Sequence, residues 1–259
     1  MKIHRFISNF DLSRNTLEIT DKEIVNQMKN VLKLKAGGLV ELCDGKDISA
    51  MAEIVEINKD KIVVKKAPTP KGVRVPTTSV GKNFVTLFCS ILKKENFELV
   101  VQKTTECGVL KIIPIITSRT IKTGLNMERL RKIAKEASEQ CGRITIPEIL
   151  EPITFPEALK NIQGETFFFD SSGDYSFITH TYSPASELLC SARQPAQCVL
   201  KKQSPDSFNL FIGPEGGWTE EEINMTKSLN FKNASLGPLT LRGETAAIIA
   251  TYLVSNMIK

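Results

Sequence analysis

Histidine is scarce in this chain of 259 residues and closely paired cysteine is absent, which argues against metal chemistry first. Only His4 and His180 occur, and the six cysteines (Cys43, Cys89, Cys107, Cys141, Cys190, Cys198) contain no C-x-x-C pair, the spacing on which zinc sites are built. They read as reduced, buried thiols, and no metal is expected. The opening, Met1 to Asp11, carries Lys2, His4, Arg5 and Asp11 with no apolar core before a cleavage site, so no secretory signal is predicted. Thr245 to Ile258 is uncharged, yet too short to span a bilayer. No internal repeat is present. Together these absences predict a soluble cytoplasmic protein with no membrane partner.

What is there is the composition of a globular chain, 41% hydrophobic and 24% charged. The net charge of +5 is unevenly placed: through Val75 there are 14 Lys/Arg against 10 Asp/Glu, and beyond it 20 against 19. The basic excess marks the N-terminal end as the one that meets phosphate, if either does.

The two ends also differ in rhythm. The first 66 residues read mostly as short strands, Leu39 to Cys43, Ser49 to Ile57 and Ile62 to Lys65, with tight turns at Asp44-Gly45 and Asn58-Lys59-Asp60. One short helix is predicted, opened by a capping box over Thr20 to Glu23, with Ile24, Met28, Val31 and Leu32 on its apolar face. Short strands of this kind close most naturally as a small β-barrel. Pro68, Pro70, Gly72 and Pro76 mark a linker. From about Lys82, strand and helix alternate, which argues an α/β domain. Strands are predicted at Val85 to Leu92, Ile112 to Ile116 (an edge or bend, because of Pro114), Thr166 to Phe169 and Asn209 to Ile212. Helices are predicted at Glu95 to Cys107 and Asn126 to Gln140, with Gly108 and Gly142 at their ends. Ser171 to Ser207 reads as an irregular polar excursion with one helical piece, Pro184 to Arg193. The expected division is 1–72 and 80–259.

Two segments have residue types that packing alone does not explain. In Ile212-Gly213-Pro214-Glu215-Gly216-Gly217-Trp218-Thr219, a buried strand runs into a glycine loop, and Thr219 to Glu222 then caps a helix. Glycines allow close backbone approach to a ligand at the carboxyl end of a strand; a plain tight turn is the alternative. In Leu236-Gly237-Pro238-Leu239-Thr240-Leu241-Arg242-Gly243-Glu244, a second strand, Ala234 to Leu236, ends in Gly-Pro. The Arg242/Glu244 pair then stands before a helix whose Ala246, Ile248, Ile249, Tyr252, Leu253 and Met257 make it apolar almost all round. Such a helix belongs in a core or a subunit interface. A charged pair at its mouth is a helix-start salt bridge or a functional pair.

These two loops, in this order, resemble those of the RsmE family, bacterial 16S ribosomal RNA uridine-N3 methyltransferases of the SPOUT superfamily. The likeness extends to Met1-Lys2-Ile3-His4-Arg5-Phe6, to Val31 to Lys35 with Val40 to Gly45, to Lys93 to Val109, and to Lys132 to Arg143. The resemblance implies a PUA-like RNA-binding β-barrel followed by a SPOUT α/β domain with a C-terminal trefoil knot. It also implies S-adenosyl-L-methionine as methyl donor and a homodimer. The residues it points to for the donor are Asp170, Ile212, Gly213, Pro214, Glu215, Gly216, Gly217, Leu236, Gly237, Leu239 and Leu241, with Arg242 and Glu244 catalytic. Phosphate contacts with 16S ribosomal RNA or the small subunit are expected from Arg5, Lys29, Lys33 and Lys35, joined by Arg119, Lys122 and Arg143. The chain departs from the family at Gly243, commonly Thr or Ala, and at Asn26 and Gln27, often histidines. Two other readings stay open at this point: a SPOUT enzyme acting on another base or a ribose 2′-hydroxyl, and a non-catalytic RNA-binding factor. A Rossmann-type methyltransferase is disfavoured, since no glycine-rich loop follows the first strand of the α/β half.

Overall fold

The computed structural model describes residues 3–46, 48–70, 84–121, 123–160, 162–171, 173, 175–176 and 207–256. Gly72 and Pro76 of the linker, Lys122, Met257 and the helical piece expected at 184–193 lie outside the described residues. The chain divides into two compact units, Met1–Val80 with Ala134–Ile146, and Gly81–Ile133 with Pro147–Lys259.

The first unit is built on β1 (His4–Ile7), β2 (Thr16–Ile19), β3 (Leu39–Cys43), β4 (Ser49–Ile57) and β5 (Ile62–Lys66). They hydrogen-bond in the order β1-β3-β4-β5-β2. Phe6 from one end of that order and Leu17 and Ile19 from the other enter a single core with Val40, Leu42, Ile54 and Val64, as in a sheet rolled into a barrel. Helix α1 (Lys22–Asn26) and a following π-helical turn (Gln27–Val31) add Ile24, Val25 and Met28 to that core.

Two local expectations are corrected here. Asp21, not Thr20, caps α1: its carboxylate accepts from the N–H groups of Glu23 (2.9 Å) and Ile24 (3.2 Å). Val31 is 66% exposed rather than on the apolar face. The π turn, with Leu32 N–H bonded to Gln27 O at 2.8 Å, takes five residues where an α turn takes four, and rotates Val31 out of phase with Met28.

The second unit is an all-parallel sheet. Its strands are β6 (Phe84–Ser90), β7 (Lys111–Ile116), β8 (Glu148–Ile149), β9 (Ile153–Thr154), β10 (Glu165–Phe169), β11 (Tyr175–Ser176), β12 (Ser207–Ile212) and β13 (Lys232–Ser235). The order is β11-β13-β10-β12-β6-β7-β8, with β9 also on β7. β7 is therefore interior, not the edge that Pro114 suggested. The proline is tolerated because the neighbouring strand is broken: β8 pairs Lys111 and Ile112, β9 pairs Ile115 and Ile116, and the gap falls at Ile113 and Pro114.

Side chains alternate across this sheet, so its strands bury both faces. One face stacks Phe88 on Phe211 (centroids 4.4 Å apart) and gathers Phe155, Phe168 and Trp218. Helix α2 (Lys94–Cys107) ends at Gly108, whose φ of 103° is the left-handed cap the sequence predicts. The second unit takes the start of helix α3 (Met127–Cys141), and α4 (Phe155–Ala158) and α5 (Glu220–Ser228) follow. The last helix, α6 (Gly243–Asn256), packs on α2, β6 and β12. It is not buried all round: Ala247, Ala250, Thr251 and Val254 face inward, while Ile248, Ile249 and Leu253 are half-exposed and Tyr252 exposed. No helix among the described residues is long and apolar enough to cross a membrane.

Candidate active site

Because every strand of the second unit runs the same way, β10, β12 and β13 deliver their carboxyl ends, Phe169, Ile212 and Ser235, to one edge of the sheet. A cleft of about 510 Å³ opens there. Its first wall is the loop after β12. Gly213 has to be glycine, since a Cβ there would stand 2.9 Å from the Trp218 ring. The Trp218 indole N–H donates to Phe169 O at 3.0 Å, tying the loop to the end of β10. Gly217, at φ 70°, closes a turn by donating to Pro214 O at 2.9 Å. The predicted capping box is formed: the Glu222 carboxylate accepts from Thr219 N–H at 2.9 Å, and Thr219 Oγ1 accepts from Glu222 N–H at 3.3 Å.

The second wall is the loop after β13, turned at Gly237 (φ 134°) and pinned by Ser235 Oγ donating to Gly237 O at 3.0 Å. It delivers Arg242 and Glu244 to the cleft. Arg242 is 84% exposed at the side chain, Glu244 only 10%, and their closest approach is 3.9 Å, from Nη1 to Oε1. The second oxygen of Glu244, Oε2, is buried and has no hydrogen-bond partner among the described residues. Gly243 between them lies against Leu92: a Cβ would meet that side chain at 2.9 Å. The glycine thus matches a bulky neighbour at the β6–α2 connection, and an added methyl here requires Leu92 to move.

Of the residues expected to hold a donor, Asp170, Ile212, Gly213, Pro214, Glu215, Gly217, Leu236, Leu239 and Leu241 line the cleft, as do Arg242 and Glu244. Gly216 and Gly237 do not; they shape the loops from outside. Sequence reasoning missed Lys93, Asn96, Ser171 and Trp218, which also line it. Lys93 and Asn96 belong to a block that stood out only by resemblance, since a lysine and an asparagine at a helix start carry no pattern of their own. Lys93 N–H donates to Glu215 Oε1 at 3.3 Å, joining the α2 start to the first loop. Burial, with Glu215 and Glu244 nearby, pushes the Cys89 thiol well up, so it is no nucleophile.

The cations expected to meet RNA separate into four kinds. Arg5 is withdrawn from solvent: its Nη2 and Nε bond Glu41 Oε2 at 2.6 and 3.0 Å, and both side chains are 8% exposed. Its charge is paired inside the first unit. Arg143 is half-buried there, and burial lowers its pKa to about 10, so it remains a cation at neutral pH. Lys29, Lys33 and Lys35 are exposed around the π turn. Arg119 is exposed but engaged by the carbonyls of Gly216 and Trp218. No cluster of three metal-ligating side chains occurs among the described residues.

Comparison with known proteins bears on what this cleft is. Residues 81–255 match an RNA methyltransferase domain, and residues 19–67 an RNA methyltransferase PUA domain. The chain is 32% identical over 252 residues to ribosomal RNA small subunit methyltransferase E of Rickettsia conorii, covering 96% of this chain and 94% of that one. It is 27% identical to the protein of the same name from Bacillus subtilis, over 93% and 90%. Among solved structures, ribosomal RNA small subunit methyltransferase E from Neisseria gonorrhoeae, bound to S-adenosyl methionine, superposes with a TM-score of 0.77 at 26% identity, covering 96% and 95%. A Legionella pneumophila protein in complex with the same cofactor gives 0.79 at 26% identity, covering 98% and 97%. With both of its parts matched and nearly its whole length aligned, the chain belongs to the ribosomal RNA small subunit methyltransferase E family.

Proposed function

We propose that this protein methylates N3 of one uridine in 16S ribosomal RNA, using S-adenosyl-L-methionine, as a cytoplasmic homodimer. The observation that carries this reading is the convergence of two glycine loops and the Arg242/Glu244 pair on a single cleft. The cleft suits the donor: its volume is of the size that holds a cofactor, and Glu244 lines it with Oε2 buried and without a hydrogen-bond partner among the described residues. Asp170, Gly213 to Gly217 and Leu236 to Leu241 are the segments assigned to hold it. When bound, S-adenosylmethionine supplies a methyl group activated by the positive charge of its sulfur.

The protein's task is to make uracil N3 a nucleophile, which it is not while it carries a proton. Arg242, exposed at the cleft, places a fixed positive charge where an entering base brings its carbonyl oxygens, and so stabilises the uracil anion. Glu244 sits behind it, orients the guanidinium, and offers Oε2 as an acceptor for the N3 proton. Arg242→Ala is expected to leave donor binding intact while lowering kcat about 10²- to 10³-fold, the cost of losing one preorganised charge. Glu244→Gln separates its two roles: a large loss of kcat assigns it the proton, and a small one leaves it as an orienting group.

Residues 1–72 act in this reading as the RNA-binding barrel and 80–259 as the methyltransferase domain, in keeping with the two matched regions. Lys29, Lys33 and Lys35 supply phosphate contacts. A trefoil knot is supported by strand order: β13 follows β12 in the chain yet lies beyond β10, after which α6 returns to β12 and β6. Purified protein, isolated small subunits and methyl-labelled donor provide the test. Label is expected in 16S RNA as N3-methyluridine, whereas label on a ribose or another base would replace the N3 assignment, and absence of donor binding by calorimetry would remove the enzymatic reading.

A further inference from the structure

The side chain of Arg119, just beyond β7, reaches across to the first loop of the cleft. Its Nη1 donates to Gly216 O at 2.7 Å and to Trp218 O at 3.2 Å. Its Cβ and Cδ both lie 3.4 Å from where a Cβ on Gly216 would stand, so the loop is laid directly along it. The preceding residue is bound to the same loop: Ser118 N–H donates to Glu222 Oε1 at 2.9 Å, while the other oxygen of that buried carboxylate accepts from Thr219 N–H. Neither Arg119 nor Gly216 lines the cleft, whereas Gly213, Gly217 and Trp218 do. Arg119 therefore grips the loop from its outer side.

We infer that Arg119 is a positioning residue for the methyl donor, holding the carbonyls of Gly216 and Trp218 outward so that the loop keeps its donor-binding shape. The inference rests on the reading of the cleft as the S-adenosylmethionine site, and it reassigns a cation that the sequence pattern places against RNA. A guanidinium suits the task because it cannot lose its charge and presents several donors in a rigid fork; a lysine ammonium is a single, more strongly hydrated point charge.

Trp218 is the only tryptophan of the chain, buried at 6% exposure inside the gripped loop, so its fluorescence reports that loop alone. The experiment compares native protein, Arg119→Ala and Arg119→Lys by calorimetry with S-adenosylmethionine, by tryptophan emission, and by binding of small-subunit RNA at several salt concentrations. Circular dichroism melts confirm that each variant is folded. Arg119→Ala is expected to weaken donor binding about ten-fold, as loss of a charge-assisted hydrogen bond does. Its emission shifts, and the kinetic loss falls mainly on KM for the donor. Arg119→Lys recovers part of the affinity, and RNA binding keeps its salt dependence. Native donor affinity with unchanged emission in Arg119→Ala would overturn the inference. So would weakened RNA binding with a shallower salt slope and intact donor binding, which is the mark of a phosphate contact. If native protein itself binds no donor, the reading of the cleft fails, and the inference fails with it.

Discussion

At the scale of single residues, the site is shaped by atoms that are missing as much as by those present. Gly213 leaves its space to the Trp218 indole, and Gly243 leaves its own to Leu92. The two differ in what an added methyl would meet, a locked ring in one case and a flexible side chain in the other. Gly213→Ala is accordingly expected to overpack the loop at a cost of about 1–3 kcal/mol and to lose donor affinity; Gly243→Ala should be milder on both counts. Melting temperature and calorimetry on the two variants check this, and equal effects would contradict it.

A second residue-scale expectation concerns Glu139. Burial pushes its carboxyl above the usual range, against the pull of the Ile7 N–H that it accepts at 2.9 Å, and of Lys135 and Gln27. The folded chain holds this proton more tightly than the unfolded chain. The group's contribution is therefore full below the unfolded pKa and is lost as pH rises through the folded one. The melting temperature of Glu139→Gln, minus that of the native protein, is expected to grow as pH rises from about 4 to about 7. A difference that stays flat would show that the proton is not held.

Among elements, local chemistry was legible wherever the cause is local. Gly108 as the stop of α2, the Thr219 capping box and the turn at Asp44-Gly45 all follow from side chains within a few positions of the backbone they serve. What failed depends on neighbours far along the chain. Pro114 reads as an edge residue until β8 and β9 are seen to leave a gap beside it. Val31 fits an α-helical face until the π turn shifts the phase. Thr20 and Asp21 are both good caps, and only geometry chooses between them; Asp21→Ala is expected to cost the first unit about 1 kcal/mol in urea unfolding, against a negligible effect of Thr20→Ala.

The last helix raises an expectation of the same scale. Ile248, Ile249 and Leu253, half-exposed, and Tyr252, at 56% exposure, form an apolar face with no cover among the described residues. If α6 pairs with a second copy, Ile249→Asp should sediment as a monomer with its circular dichroism unchanged. An unaltered sedimentation coefficient would show that this face holds no second copy.

For the molecule as a whole, the presence of two differently built parts was visible in charge and rhythm, the basic strand-rich end and the alternating strand–helix end. The two glycine loops located the cleft, and nine of the eleven donor residues suggested by resemblance line it. Charge alone did not say which cations are available. Arg5 is consumed by Glu41, and Arg119 by loop carbonyls, because pairing across 36 and 97 positions leaves no trace in local pattern. Lys29, Lys33 and Lys35 are exposed, and replacing all three with Ala should reduce the slope of log affinity against log salt by about two to three units without changing donor binding.

Mass-spectrometric nucleoside analysis of ribosomal RNA from cells with and without this gene reads out the proposed reaction. N3-methyluridine is expected to disappear from 16S RNA alone and to return with the native gene but not with Arg242→Ala. Persistence of every methylated uridine in the deleted strain, with another RNA methylation lost instead, would contradict it.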